Sequence, residues 1–447
     1  VTIAVRTASA AMKTMRRMLP LSGGGCLFLL PLLLYKADGF VMERRRRISA
    51  AALLSSNTKA PVPVLTNETE ALLGPAQSSN KNYNKSQNYN NRIIFGTAAL
   101  GKAAQPLALL DAAYDKGIRR FDLARSYGGG ASERLFGAWL EEHDVNRASV
   151  EIITKGGMGQ DKYGDPHRPV LTRPALLAEV QTSLEALRTH YVDLYMFHRD
   201  DPRIPVETFV LWANELVQRG TTRRWGVSNW TFERFRQAFD FATRNGLEPP
   251  RANSPQFSLA VPQCEVWPTT HSISGSPNDA QQDWYERNHI ELLCWEVLAK
   301  GFMAQPHLWS EGTVNALSFD DHVNNIGSDE WRLHRIQKAY CYDENYHRRR
   351  AAMQLARQLG CKLSQVAILY VLFSRGTNLS VIVGTNNLYH VDDMVGLDAC
   401  QLDEATRFQL ARLAIVPKTS LSPHLSPRRF QTTLKNAKLI PLKSCFL

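Results

Sequence analysis

The sequence predicts an α/β chain: a closed (β/α)8 TIM barrel with a disordered N-terminal targeting extension. Three observations predict it. From residue 92 onward, eight short apolar runs alternate with helical patterns, and such alternation builds a parallel sheet with helices outside it. Eight units over about 300 residues fit a closed barrel better than an open sheet. Ahead of them, residues 55–91 are rich in Ser, Asn, Gln and Pro, a composition too poor in apolar side chains to order itself. No run is followed by G-x-G-x-x-G, so an open dinucleotide-binding sheet is not indicated.

The eight runs are IIFGTA (93–98), IRRFDLA (118–124), VEIITKGG (150–157), VDLYMFH (192–198), RRWGVSN (223–229), ANSPQFS (252–258), IELLCWEVL (290–298) and LSVIVGT (379–385). Between them lie helical patterns. Leu176, Leu177, Val180, Leu184 and Leu187 recur at the spacing that makes one apolar helix face. Thr172, Ser132 and Ser364 are placed to cap three helices. Phe302–Tyr346 breaks the rhythm and reads as a long loop over the C-terminal mouth of the barrel.

Charge is distributed unevenly. The whole chain carries +11, but residues 1–90 hold +8 and residues 414–447 hold +6, which leaves −3 for residues 91–413. Basicity therefore belongs to the tails, and nucleic-acid binding by the folded body loses its support. Seven cysteines without a C-x-x-C read as reduced thiols. No His/Cys cluster has metal-ligand spacing.

Four segments follow. Residues 1–39 resemble a signal peptide: Lys13, Arg16 and Arg17, then the apolar CLFLLPLLLY, then small residues at Ala37 and Gly39. That run is shorter than the roughly 20 residues of a membrane span, so no stable membrane insertion of the mature chain is expected. Residues 40–91 begin at Phe40 with an Arg- and Ser/Ala-rich stretch similar to a transit peptide, then pass into the linker. The pair resembles the bipartite presequence of algae with secondary plastids. Plain secretion is the alternative, and Asn67 and Asn84 would then head usable glycosylation sequons. Residues 92–413 are the barrel, and 414–447 a basic tail.

The chemistry sits at strand ends. The second run carries Asp122, the third Lys155 and the fourth His198, with Tyr127 on the loop after the second. In a barrel these strand ends share one mouth. Singly, each has an ordinary explanation: a loop cap, a packed ring, a surface lysine, a core histidine. Together they suit proton delivery to a carbonyl. A tyrosine is a poor acid near neutrality, with a pKa of about 10, and a neighbouring ammonium is expected to lower that value. Asp122 would hold Lys155 charged, and His198 would bond the substrate oxygen. None of these groups supplies hydride, so a cofactor is required.

FDLARSYG, ITKGG, DLYMFHRDDP, WGVSNW, NSPQFS and VIVGTNN together resemble the aldo-keto reductase superfamily over residues 92–413. The resemblance implies NADP as cofactor, with NAD not excluded, and a small-molecule carbonyl substrate reduced to an alcohol. It makes Tyr127 the general acid and Asp122, Lys155 and His198 its partners. It also implies cofactor contacts for Thr97, Asp122, Ser228, Asn229, Gln256, Trp295, Leu298, Gly301, Gly384, Thr385, Asn387, His390 and Asp393. Ser228, Asn229 and Gln256 match positions that grip the nicotinamide carboxamide, and Trp295 stands where a stacking tyrosine is usual. The chain departs at Glu296-Val297-Leu298, where Ser-Pro-Leu is common, and near His390, where an arginine is common. A rival implied by the same fold is a cofactor-binding regulatory subunit like the potassium-channel β subunits.

Overall fold

Each apolar run contains a strand: β1 Ile93–Gly96, β2 Arg120–Asp122, β3 Glu151–Gly156, β4 Val192–Phe197, β5 Thr222–Ser228, β6 Ala252–Ser254, β7 Glu291–Cys294 and β8 Leu379–Val383. They belong to a computed structural model. It describes residues 89–414 apart from 159–169, 276–278, 310–328, 375–377, 398–399 and 401–402. The expected signal-like and transit-like segments, both sequons and nearly all of the linker and basic tail lie outside the described residues.

Every strand pairs in parallel with its sequence neighbour, and β8 closes onto β1. Phe95 stands opposite Phe121 on one side and Val383 on the other. Alternation along each strand sends side chains to opposite faces. Ile94, Ile153, Leu194, Met196, Leu293 and Ile382 form a small inner core. Their neighbours Phe95, Phe121, Ile152 and Val383 join the larger core under the helices.

The outer layer comprises α1 Pro106–Asp115, α2 Ala131–Glu142, α3 Arg173–Ala186, α4 Val206–Gln218, α5 Phe232–Arg244, α6 Asp279–Arg287, α7 Asp329–Tyr340, α8 Asp343–Leu359, α9 Leu363–Ser374 and α10 Glu404–Arg412. Thr172 caps α3 as expected, its side chain accepting from the Ala175 amide. Ser132 and Ser364 do not cap. Each lies inside the first turn of its helix and is buried, because α2 already starts at Ala131 behind a left-handed Gly130. The stretch Phe302–Tyr346 is not all loop: it holds α7 and the start of α8.

At the N-terminal end of the barrel, Arg120 bonds Glu151, Glu291 and Ser380, and Arg224 reaches Glu151. Arg120, the least exposed of them, keeps its charge through this pairing. The cysteine expectation needs correction. Cys361 and Cys400 form a disulfide, with Cα atoms 5.8 Å apart, while Cys264, Cys294 and Cys341 are not disulfide-bonded. The bonded pair lies 39 positions apart in sequence, so no short spacing signalled it.

Candidate active site

Asp122 ends β2, Lys155 lies near the end of β3, and His198 follows β4. Tyr127 opens the short turn Tyr127–Gly130. Gly128, Gly129 and Gly130 all have positive φ, three successive left-handed residues that only glycine adopts readily. They swing the chain directly from the phenol into α2.

The barrel brings the four groups together. Lys155 Nζ donates to Asp122 Oδ1, to the Leu123 carbonyl at 3.1 Å and to Tyr127 Oη at 3.1 Å. Tyr127 Oη in turn donates to Asp122 Oδ2 at 3.3 Å. The His198 ring stands edge-on to the phenol, centroids 5.7 Å apart, and its Nδ1 lies 3.3 Å from Ser126 Oγ. Asp122 and Lys155 are each 2% exposed.

Burial governs the protonation states. Burial pulls the Lys155 ammonium down, yet Asp122 and Tyr127 together push it above the ordinary lysine value. Burial raises the Asp122 carboxyl, with Lys155 opposing. The expectation that Lys155 lowers the phenol meets a correction: burial, then the Asp122 carboxylate, raise Tyr127, and the pull of Lys155 does not overcome them. Burial, followed by Arg199 and Lys155, drives His198 well below its usual range. The site therefore holds a protonated phenol beside a neutral imidazole.

The expected cofactor residues fall into two groups. On the β5–β7 side, the Ser254 carbonyl accepts from the Asn229 amide at 3.0 Å, Ser228 Oγ at 3.1 Å and Trp295 Nε1 at 3.2 Å. A backbone carbonyl leaves no signal in a sequence, and this hub escaped it. Asn229 is left-handed and donates to Ser228 Oγ at 2.9 Å. Gln256 is buried. Its amide donates to Ser258 and Tyr340, and its oxygen accepts from Ser272 and Ser274. Gripping a carboxamide would require it to exchange one of these bonds. Gly301 bonds back to the Leu298 carbonyl in a tight turn.

On the β8–β1 side, a Cβ at Gly384 would meet the Gly96 carbonyl oxygen at 2.1 Å. Its bareness serves barrel closure. Thr97 Oγ1 donates to the Asp122 carbonyl at 2.8 Å and meets Ser132 Oγ, bracing β1 against β2 and α2. Thr385 Oγ1 accepts from the Asn387 amide at 3.0 Å and lies 3.3 Å from His390 Nδ1. The Asp393 carboxylate pairs with Lys362.

A nicotinamide fits these residues on one observation: Trp295, only partly buried, packs against the inner apolar core. A flat indole over an apolar floor suits an aromatic ring. Sequence reasoning also missed Glu133, fully buried on α2, whose Oε1 accepts from Thr154 Oγ1 at 2.6 Å. Thr154 precedes Lys155, so this bond ties α2 to the strand that carries the ammonium. A carboxylate in an amphipathic helix normally reads as solvent-facing, and only packing revealed it.

The fold is a closed (β/α)8 barrel with Asp122, Tyr127, Lys155 and His198 gathered at one mouth. The Aldo/keto reductase family model matches residues 92–413, and the chain belongs to that family. Among curated proteins it is similar to a probable voltage-gated potassium channel subunit β of Oryza sativa subsp. japonica, 24% identical over 316 residues, covering 69% of this chain and 86% of that protein. Among solved structures it is similar to a thermostable aldo-keto reductase crystallised with the inhibitor epalrestat. That match has TM-score 0.51 and 20% identity, covering 72% of this chain and 94% of the other, and shows the shared fold. Among the described residues, no helix is long and apolar enough to cross a membrane, and no group of His, Cys, Asp or Glu could hold a metal ion.

Proposed function

We propose that this chain is an NAD(P)H-dependent reductase of aldehydes or ketones, with Tyr127 as general acid. The observation that carries this is the Tyr127–Lys155–Asp122 triangle, a partly buried phenol on a buried ion pair, beside a neutral His198. Tyr127 keeps its proton through neutral pH and gives it to the substrate oxygen. Lys155, held charged by Asp122, stabilises the phenolate that remains. His198 bonds the carbonyl oxygen and orients it. The nicotinamide cofactor, when bound, supplies the hydride that no side chain can provide. Trp295, Ser228, Asn229 and Gln256 would hold its nicotinamide end, and Thr97, Leu298, Gly301, Gly384, Thr385, Asn387, His390 and Asp393 its remainder. We assign NADPH, with NADH as the alternative; titrating both decides.

A second reading rests on the rice relative's name: a regulatory subunit that binds the cofactor, turns over slowly and acts through a partner. Stopped-flow oxidation of bound NADPH with a panel of aldehydes separates the two. The enzyme reading expects fast turnover that Tyr127→Phe lowers by about 10²- to 10⁴-fold. Negligible turnover with every carbonyl tested favours the subunit.

For location, we propose plastid delivery, supported by the basic, apolar and Phe40-led pattern of the N-terminal segment. The Cys361–Cys400 bond is equally at home in an oxidising compartment, which leaves secretion as the alternative. A fluorescent protein fused to residues 1–91 should enter plastids and lose import on Phe40→Ala; unaltered import sinks the assignment.

A further inference from the structure

We infer that Glu296 is a positioning residue that locks the segment Trp295–Gly301 to the two loops of the barrel mouth and so fixes the nicotinamide end of the cofactor site. This rests on the reading of that segment as cofactor-binding.

Glu296 follows Trp295, and its side chain is only 3% exposed. Its carboxylate is turned into the protein. Oε1 accepts from Trp267 Nε1 at 2.9 Å and pairs with Lys300 Nζ at 3.2 Å. Oε2 accepts from Tyr340 Oη at 2.9 Å. Trp267 belongs to the loop after β6, and Tyr340 ends α7 in the stretch after β7. Tyr340 Oη also accepts from Gln256 Nε2 at 3.3 Å. One carboxylate thus joins the cofactor segment, both mouth elements and, through Tyr340, the expected carboxamide grip.

The backbone shows why such a clamp is needed. Glu296, Ala299 and Lys300 all have positive φ, at 56°, 47° and 53°. Left-handed backbone is unfavourable for residues with a Cβ and persists only where the surroundings over-determine it. Charge-assisted hydrogen bonds to a buried carboxylate are the strong kind, and here they come from both sides of the mouth. Without them the segment relaxes toward ordinary backbone and Trp295 moves off the inner core.

The test is calorimetric binding of NADPH, NADH and adenosine 2′,5′-bisphosphate, which lacks the nicotinamide, to the unsubstituted chain and to variants. Glu296→Ala should weaken the dinucleotide about tenfold and the bisphosphate distinctly less, the size expected from losing charge-assisted bonds. Glu296→Gln keeps one acceptor oxygen and should recover part of the loss. Trp267→Phe removes a single donor, should weaken NADPH less, and should add nothing in the Glu296→Ala background. Equal weakening of dinucleotide and bisphosphate, or no weakening in any variant, overturns the inference while the cofactor reading stands. Failure of the unsubstituted chain to bind either dinucleotide overturns both.

Discussion

Tyr127 Oη and Lys155 Nζ stand 3.1 Å apart, and Lys155 is buried together with Asp122. The contact does not make the phenol acidic. Burial and Asp122 raise it against the pull of Lys155. A phenol tuned this way is a proton store rather than a ready phenolate, which suits reduction.

The pH profile follows. The ordinary phenol value is about 10 and Tyr127 lies above it, so its proton is retained up to at least that pH. His198 titrates well below its ordinary value and stays neutral through pH 6–8. Reduction at saturating substrate should hold steady from about pH 6 to 9, measured as initial NADPH oxidation. A fall centred near 6.5 would show a titrating histidine and contradict the arrangement.

Lys155→Met strands the Asp122 carboxylate in the interior. Leaving one partner of a buried pair costs about 3–5 kcal/mol. Urea unfolding should show that loss, and adding Asp122→Asn should restore a large part of it. The double variant stays inactive, because Tyr127 has lost its ammonium. Activity in the double variant counts against the role of Lys155.

Glu133 acts behind the site. Glu133→Ala removes the acceptor of Thr154 Oγ1 and should cost about 1–3 kcal/mol. Reductase kcat should fall with it, as the strand carrying Lys155 loosens. Glu133→Gln keeps an acceptor and should lose little of either. Comparing unfolding with kcat in both variants checks the link.

At the opposite end, Arg120→Met leaves Glu291 without the cation that bonds it, while Arg224 still reaches Glu151, and should cost about 1–3 kcal/mol. Burial raises Glu291, but Arg120 and its other partners outweigh it and hold the carboxyl below the ordinary value. A depressed carboxyl stabilises the fold above its unfolded pKa of about 4.3. That contribution disappears as pH falls through the lower folded value. Acid unfolding of the parent should therefore steepen below about pH 4.3, and Glu291→Gln should flatten that limb.

Reducing Cys361–Cys400 opens a closed loop of 39 residues' separation, for which chain entropy suggests about 4 kcal/mol at most. Dithiothreitol should lower the thermal midpoint of the parent, and Cys400→Ser should lie at that lower value whether or not reductant is present. A midpoint of the parent insensitive to reductant argues that the bond is not formed.

Much of the barrel was legible beforehand. All eight apolar runs contain strands, because a parallel strand buried on both faces must be apolar along its length, and that pattern is local. Asp122, Lys155 and His198 were legible for a related reason: polar residues at the ends of apolar runs stand out, and the barrel places strand ends on one face. Caps were less legible. Ser132 and Ser364 have the right chemistry for capping, but their helices start at Ala131 and Leu363, two residues earlier than those caps imply.

The sequence by itself determined the period, the number of strands and the types of residue at their ends, since these depend only on neighbours along the chain. The tertiary structure decided what those residues become. It raised the Tyr127 phenol by enclosing it with Asp122, turned Glu133 and Glu296 inward, gathered three donors on the Ser254 carbonyl, and paired Cys361 with Cys400. Each of these rests on burial or on contact between distant segments, and neither exists until the chain has closed.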